Sequence, residues 1–156
     1  MKLGIKRIED ALVVVIRGDI SEHSEPEFAE LLGKIEVKKI QFDLEKLELV
    51  NSLGTRVWMQ FIEKLKHRNI EFSFQKCSVA FVECCNMYPR FANSNSIESF
   101  YISMICGSCG NVDLALSTVE AARAGEFQNR PCKDCESPMR TQVDPQEYLQ
   151  FLNEDL

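Results

Sequence analysis

The stretch from Phe42 to Gly54, FDLEKLELVNSLG, decides how the first two-thirds of the chain is read. It opens with apolar Phe42 and Leu44, passes through a polar run and ends at Asn51-Ser52-Leu53-Gly54. From there Leu53, Val57, Trp58, Phe61, Ile62 and Leu65 recur at helical spacing, while Arg56, Gln60, Glu63, Lys64 and His67 take the other face. The pattern predicts a strand, a polar loop and an amphipathic helix whose N-terminus lies at or next to Ser52. Free backbone N–H groups and the helix dipole favour an anion there. A hydroxyl at that point can cap the helix, and a phosphate on it would place charge where the helix best tolerates it.

Working outward, residues 3–8 and 11–17 read as two strands joined by a turn at Glu9-Asp10, with Gly18-Asp19 breaking the second. Ser24 begins a helix with Pro26 in its first turn and Glu27 placed for a capping box, burying Phe28, Leu31, Leu32 and Ile35. Residues 37–44 form a largely buried third strand. The helix after Ser52 ends near Asn69, an acceptable C-cap. Residues 70–75 alternate as a fourth strand, 78–87 form a short helix ended by Pro89, and 99–105 are a last strand. Helices alternating with strands define an α/β domain with at least partly parallel pairing.

Composition narrows the function classes. Hydrophobic residues make up 45% of the 156, enough for a packed core. The formal charge of −6 is concentrated at the end: residues 1–105 carry net −1, 106–141 net −1 and 142–156 net −4. No basic block marks a nucleic acid or anionic membrane as partner. No run approaches a membrane span and MKLGIKRIED has no apolar signal core, so a cytoplasmic setting is expected.

With these residues placed, the first 105 resemble the STAS domain, named for sulfate transporters and anti-sigma-factor antagonists. The family's element is a strand ending in Asp-Leu, six further residues, then Asp-Ser-x-Gly opening a helix. Here Asp43-Leu44 is followed by EKLELV and Asn51-Ser52-Leu53-Gly54, and Gly18-Asp19-Ile20 matches an upstream turn. The resemblance implies a mixed sheet with alternating helices and a regulatory role without catalysis. In the best-known branch the serine is phosphorylated by a cognate anti-sigma kinase, which releases the protein partner; that role maps onto Ser52. The chain departs from the pattern at Asn51, where Asp is usual, and at Leu53, where Ser or Thr is common. The implied docking surface comprises Gly18, Asp19, Asn51, Ser52 and Arg56, and the implied partner is an anti-sigma factor or kinase-like regulator.

Residues 106–156 read as a separate, zinc-ribbon-like subdomain. Cys106-Gly-Ser-Cys109 and Cys132-Lys-Asp-Cys135 make a CxxC–x22–CxxC array, the spacing of a four-thiolate structural zinc site. Each CxxC turn points two thiolates at one spot, and two such knuckles complete a tetrahedron. A rubredoxin-type iron site could use the same ligands. Between the pairs, Val112, Leu114 and Leu116 alternate like a strand, and Ser117 to Glu120 is a capping box opening a helix that Gly125 stops. Asp144-Pro145 caps a last helix with an apolar stripe at Tyr148, Leu149, Phe151 and Leu152, expected to pack on the ribbon.

Other residues read blandly: Cys77, Cys84 and Cys85 as free thiols, His23 and His67 as surface histidines, Trp58 as core. Two alternatives to a docking module remain from the residues. One is a thiol redox protein using a CxxC pair, which would need that pair to open a helix. The other is a nucleic-acid-binding zinc ribbon, which would need a basic face.

Overall fold

The computed structural model describes residues 1–88, 90–126 and 130–152. A four-stranded sheet has the order β1-β2-β3-β4, built from β1 (Lys2–Ile8), β2 (Ala11–Ile20), β3 (Lys39–Val50) and β4 (Glu71–Gln75). β1 runs antiparallel to β2, and β2, β3 and β4 are parallel. Helices α1 (Glu25–Lys34), α2 (Ser52–His67) and α3 (Val79–Met87) supply the connections and the core. The STAS-like α/β expectation is met.

The core forms where the apolar faces of strands and helices meet. Phe42 in the first half of β3 lies edge-on to Trp58 and Phe61 of α2, with ring centroids 5.8 and 5.9 Å apart. Phe28 of α1 stacks on Phe61 at 4.5 Å, and Phe81 of α3 meets Trp58 at 5.8 Å. Trp58 is fully buried, and its indole Nε1–H donates to the Phe91 carbonyl at 2.9 Å, which removes the cost of burying a polar group. Each such side chain contributes about 1.5–3 kcal/mol by leaving water.

Three local expectations are corrected. The polar loop after Leu44 is strand: β3 continues to Val50 beside β2, which itself runs past Gly18-Asp19 to Ile20. Ladder hydrogen bonds do not depend on side-chain polarity, so Glu45, Lys46 and Glu48 point to solvent from a strand that bulges; the register shifts between Val15 and Arg17 and again between Gly18 and Asp19. Gly18 takes φ +79 there. The Ser24–Glu27 capping box is not formed. The Ser24 hydroxyl instead accepts from Ser21 N–H at 3.1 Å, closing a box over the 3-10 turn Glu22–Ser24. At the end of α2, Arg68 is the C-cap and Asn69 follows with φ 54. Pro89, expected to end α3, lies outside the described residues.

A second sheet has the order β6-β5-β7, all antiparallel, from β5 (Ser99–Cys106), β6 (Val112–Thr118) and β7 (Met139–Thr141). β5 spans position 105/106, and two isolated parallel bridges run alongside, from Phe74 of β4 to Ile97 just before β5 and from Cys77 just after β4 to Phe100 of β5. α4 (Val119–Arg123) is capped by Thr118, whose hydroxyl accepts from Ala121 N–H, not by the expected Ser117. β6 runs on through Ser117, which places the cap one residue later. α5 (Pro145–Tyr148) does not rest on the ribbon alone. Asn86 of α3 donates to the Tyr148 carbonyl at 3.0 Å and accepts from Phe151 N–H at 2.9 Å, while Tyr148 O–H donates to Tyr101 of β5 at 2.6 Å. The apolar stripe thus ties α3 to β5.

Candidate functional site

The N-terminus of α2 is built by Asn51. Its backbone is extended, with φ −81 and ψ 170, and its Oδ1 accepts from Gly54 N–H at 2.6 Å as the N-cap. Its Nδ2 donates to Glu22 Oε2 at 3.0 Å, and its own N–H donates to the Ile20 carbonyl at 3.2 Å. That hydrogen bond from Asn51 holds the Glu22 carboxyl below its ordinary value. Of the two positions open to the cap, Asn51 takes it. Ser52 is left at the first helical position, exposed, with its hydroxyl not used for capping.

Gly54 explains the tight seating of this end. A Cβ there would stand 2.1 Å from the Ile20 carbonyl oxygen and 2.9 Å from Ser21 Cα, so only glycine lets α2 close on the end of β2. The closure brings the expected residues to one end of the sheet. Asp19 is exposed and sits in register with Leu49, beside Ile20 and Val50, from which the chain turns into Asn51 and Ser52. Arg56 is exposed one turn along α2. From Ser52 an open groove of about 720 Å³ follows α2, floored by Thr55 and Met59 and closed by Tyr88 beyond α3.

The second site is the cysteine cluster. Cys106 Sγ lies 3.4 Å from Cys135 Sγ and Cys109 Sγ 3.6 Å from Cys132 Sγ, and all four sulfurs fall within 4.8 Å of one another. A tetrahedron with arms of about 2.3 Å has edges of about 3.8 Å, so the donor set fits a thiolate-bound metal. The two knuckles are equivalent in backbone. Cys106 N–H donates to Asn111 O at 2.8 Å and Gly110 N–H to Cys106 O at 3.0 Å. Cys132 N–H donates to Ser137 O at 2.8 Å and Glu136 N–H to Cys132 O at 2.9 Å. Gly110 has φ +74, and Glu136 adopts φ 60 at the matching place, so the second turn forms without a glycine.

The backbone N–H groups of Cys109 and Ser108 hold the Cys106 thiol down to about 6, and that of Asp134 lowers Cys132. At Cys109 the Asn111 N–H favours thiolate, but the three neighbouring sulfurs outweigh it and push the thiol up to about 12. Four thiolates at these distances would repel one another without a cation between them, so the cluster is compatible with a metal. Neither pair opens a helix, as a thioredoxin-like pair would: Cys106 ends a strand, and Cys132 to Cys135 form a turn. Arg130 and Lys133 beside the cluster are taken up by Asp113, at 2.7 and 2.9 Å. Cys77, Cys84 and Cys85 are buried, and burial raises Cys77 well above its ordinary value and Cys84 to about 11, as expected of inert thiols.

Three participants were not foreseen. Glu22 carries no local signal, because it meets Asn51 only through the fold. Tyr88 enters the groove from outside α2, and Asn111 reaches Cys132 Sγ with Nδ2 at 3.7 Å.

Residues 2–89 match the STAS domain, more than half of the chain, and the protein belongs to that family. Among solved structures, the anti-sigma factor antagonist SpoIIAA in its unphosphorylated form is similar at 12% identity and TM-score 0.50, covering 82% of this chain and 100% of its own. An anti-sigma factor antagonist from Mycobacterium paratuberculosis is 18% identical at TM-score 0.40, over 47% of this chain and 65% of its own. A variant of RsbS from Moorella thermoacetica is 20% identical at TM-score 0.45, over 56% and 78%. The chain spans 18% of Mglu, another structural match. Comparison with curated proteins gives no match. The family match and the likeness to SpoIIAA agree on the STAS fold. No helix among the described residues is long and apolar enough to cross a membrane.

Proposed function

We propose that this protein is a non-enzymatic, cytosolic regulatory module that docks a protein partner through the Asn51-Ser52 corner and the following face of α2. Gly18, Asp19 and Arg56 belong to the same contact surface, and the partner is an anti-sigma factor or kinase-like regulator. The observation that carries the reading is the exposed Ser52 at the first position of a helix whose cap is already made by Asn51. A hydroxyl free of structural duty at a helix N-terminus can take a phosphate without loss of the helix. Phosphate would bring about −1.5 to −2 charges to the contact surface and switch the partner off.

Zinc held by Cys106, Cys109, Cys132 and Cys135 serves structure in this reading. It closes the short turns that follow β5 and precede β7, and the division into residues 1–105 and 106–156 is one of folding dependence. Pull-down from native cytosol with wild type, Ser52→Ala and Ser52→Asp tests the docking. The expected result is a partner retained by Ala and lost by Asp; equal capture by all three overturns it. Elemental analysis of the untagged protein should find one zinc per chain, and folded protein without metal overturns that part.

A further inference from the structure

The groove that leads away from Ser52 has a charge pattern of its own. Its apolar floor and wall are Met59 and Tyr88, both partly buried. Three charged side chains, Arg56, Glu63 and Lys64, stand along it. The Glu63 carboxylate is engaged by Lys66 at 2.9 Å, which also lowers its pKa. Arg56 and Lys64 have no carboxylate partner among the described residues. What the groove offers a visitor is therefore an apolar trough flanked by two unpaired cations.

Ser52 and Arg56 lie one turn apart on the same face of α2, since residues four apart on a helix are neighbours. An anion at the earlier position and a cation at the later one is the favoured order for such a pair.

We propose that the groove receives an acidic segment of the partner that buries an apolar side chain against Met59 and Tyr88, and that a phosphate on Ser52 expels it by drawing Arg56 into an intrahelical pair. This rests on the docking reading above and adds the chemistry of the partner and the means of release. The modification transfers the γ-phosphoryl group of a nucleoside triphosphate to Ser52 Oγ. The new O–P bond forms as the bond to the leaving nucleoside diphosphate breaks, and the hydroxyl proton is released. The phosphate both repels the partner's carboxylates and removes one of the two cations that attract them.

The test uses the full chain and three labelled helical peptides that share one leucine stripe and carry Glu, Lys or Gln on the polar face. Binding is followed by fluorescence anisotropy and by amide shifts. The Glu peptide should bind tightest and move Thr55, Met59 and Tyr88, and Arg56→Glu should weaken it about tenfold while improving the Lys peptide. Protein carrying phosphoserine at 52 should lose the Glu peptide, and its phosphorus resonance should titrate at lower pH than in the Arg56→Gln variant. Equal affinities for the three peptides, or binding by none, overturns the acidic-partner proposal and leaves the docking reading to the pull-down. A phosphorus titration unaffected by Arg56→Gln overturns the clamp. Shifts confined to the second sheet would overturn both this proposal and the docking reading.

Discussion

Trp58 and Cys132 are equally hidden from water, at 0% and 1% exposure, yet their surroundings have nothing in common. Trp58 touches six phenylalanine rings, contributed by α1, β3, α2, β4, α3 and the segment after it. Cys132 is surrounded by three other sulfurs. The first sheet buries the inner faces of β2, β3 and β4 under three helices, while Ile5 and Ile8 of its edge strand β1 stay exposed. The second leaves Val112, Leu114 and Leu116 of β6 37–50% exposed, and its β7 is three residues long. Apolar burial can hold the first region together. The second buries mainly the inner face of β5, and its four thiols converge at one end in an arrangement compatible with a metal cross-link.

The largest effect that would break this contrast concerns the cysteines. A structural zinc supplies an apparent 10–16 kcal/mol, about the whole stability of a small domain. Cys109→Ser should release the metal and the amide-exchange protection of β7, while β2 and β3 keep theirs. Protection of β7 retained in the variant would show that packing alone sustains the second sheet. Next in size, Trp58→Ala should cost about 3–5 kcal/mol in denaturant unfolding of the first sheet. A loss below about 1 kcal/mol would mean the aromatic cluster is not what holds it.

Smaller effects sharpen the division of labour at α2. Asn51→Ala should cost about 0.5–2 kcal/mol, whereas Ser52→Ala should stay within about 0.5 kcal/mol, because only Asn51 accepts a helix N–H. The reverse order in thermal or denaturant melts would return the cap to Ser52. The smallest effect is a pH dependence. The Asn51 hydrogen bond lowers the folded-state pKa of Glu22 from its ordinary 4.5. Its contribution is therefore present above 4.5 and lost as pH falls through the lower folded value. Asn51→Ala should flatten this part of the acid limb, and an unchanged limb would refute the pairing.

Much of the first region was legible because its signals are local. The spacing from Leu53 to Leu65 predicted α2 to within a residue or two, and β4 and α3 followed from period and capping in the same way. The polar run from Glu45 to Glu48 misled, because side-chain polarity reports which way a strand faces and not whether a neighbouring strand completes its hydrogen bonds. The Ser24 box failed for a related reason: two overlapping caps were available, and the tighter turn from Ser21 took the hydroxyl. The knuckle turns were expected from CxxC alone, but Glu136 in a left-handed conformation shows that the turn does not require the glycine its twin uses.

By itself the sequence determined what depends on neighbours along the chain: the helical stripes, the strand runs, the two thiol pairs, and the serine at the start of α2. Tertiary structure alone decided what depends on residues distant in sequence. It joined Glu22 to Asn51 across 29 positions, set Gly54 against Ile20, brought Tyr88 to the groove, and tied Asn86 to the last helix. Period and propensity act through the backbone within a turn or two, whereas these contacts form only when the sheet has fixed the distance between segments that share no local signal.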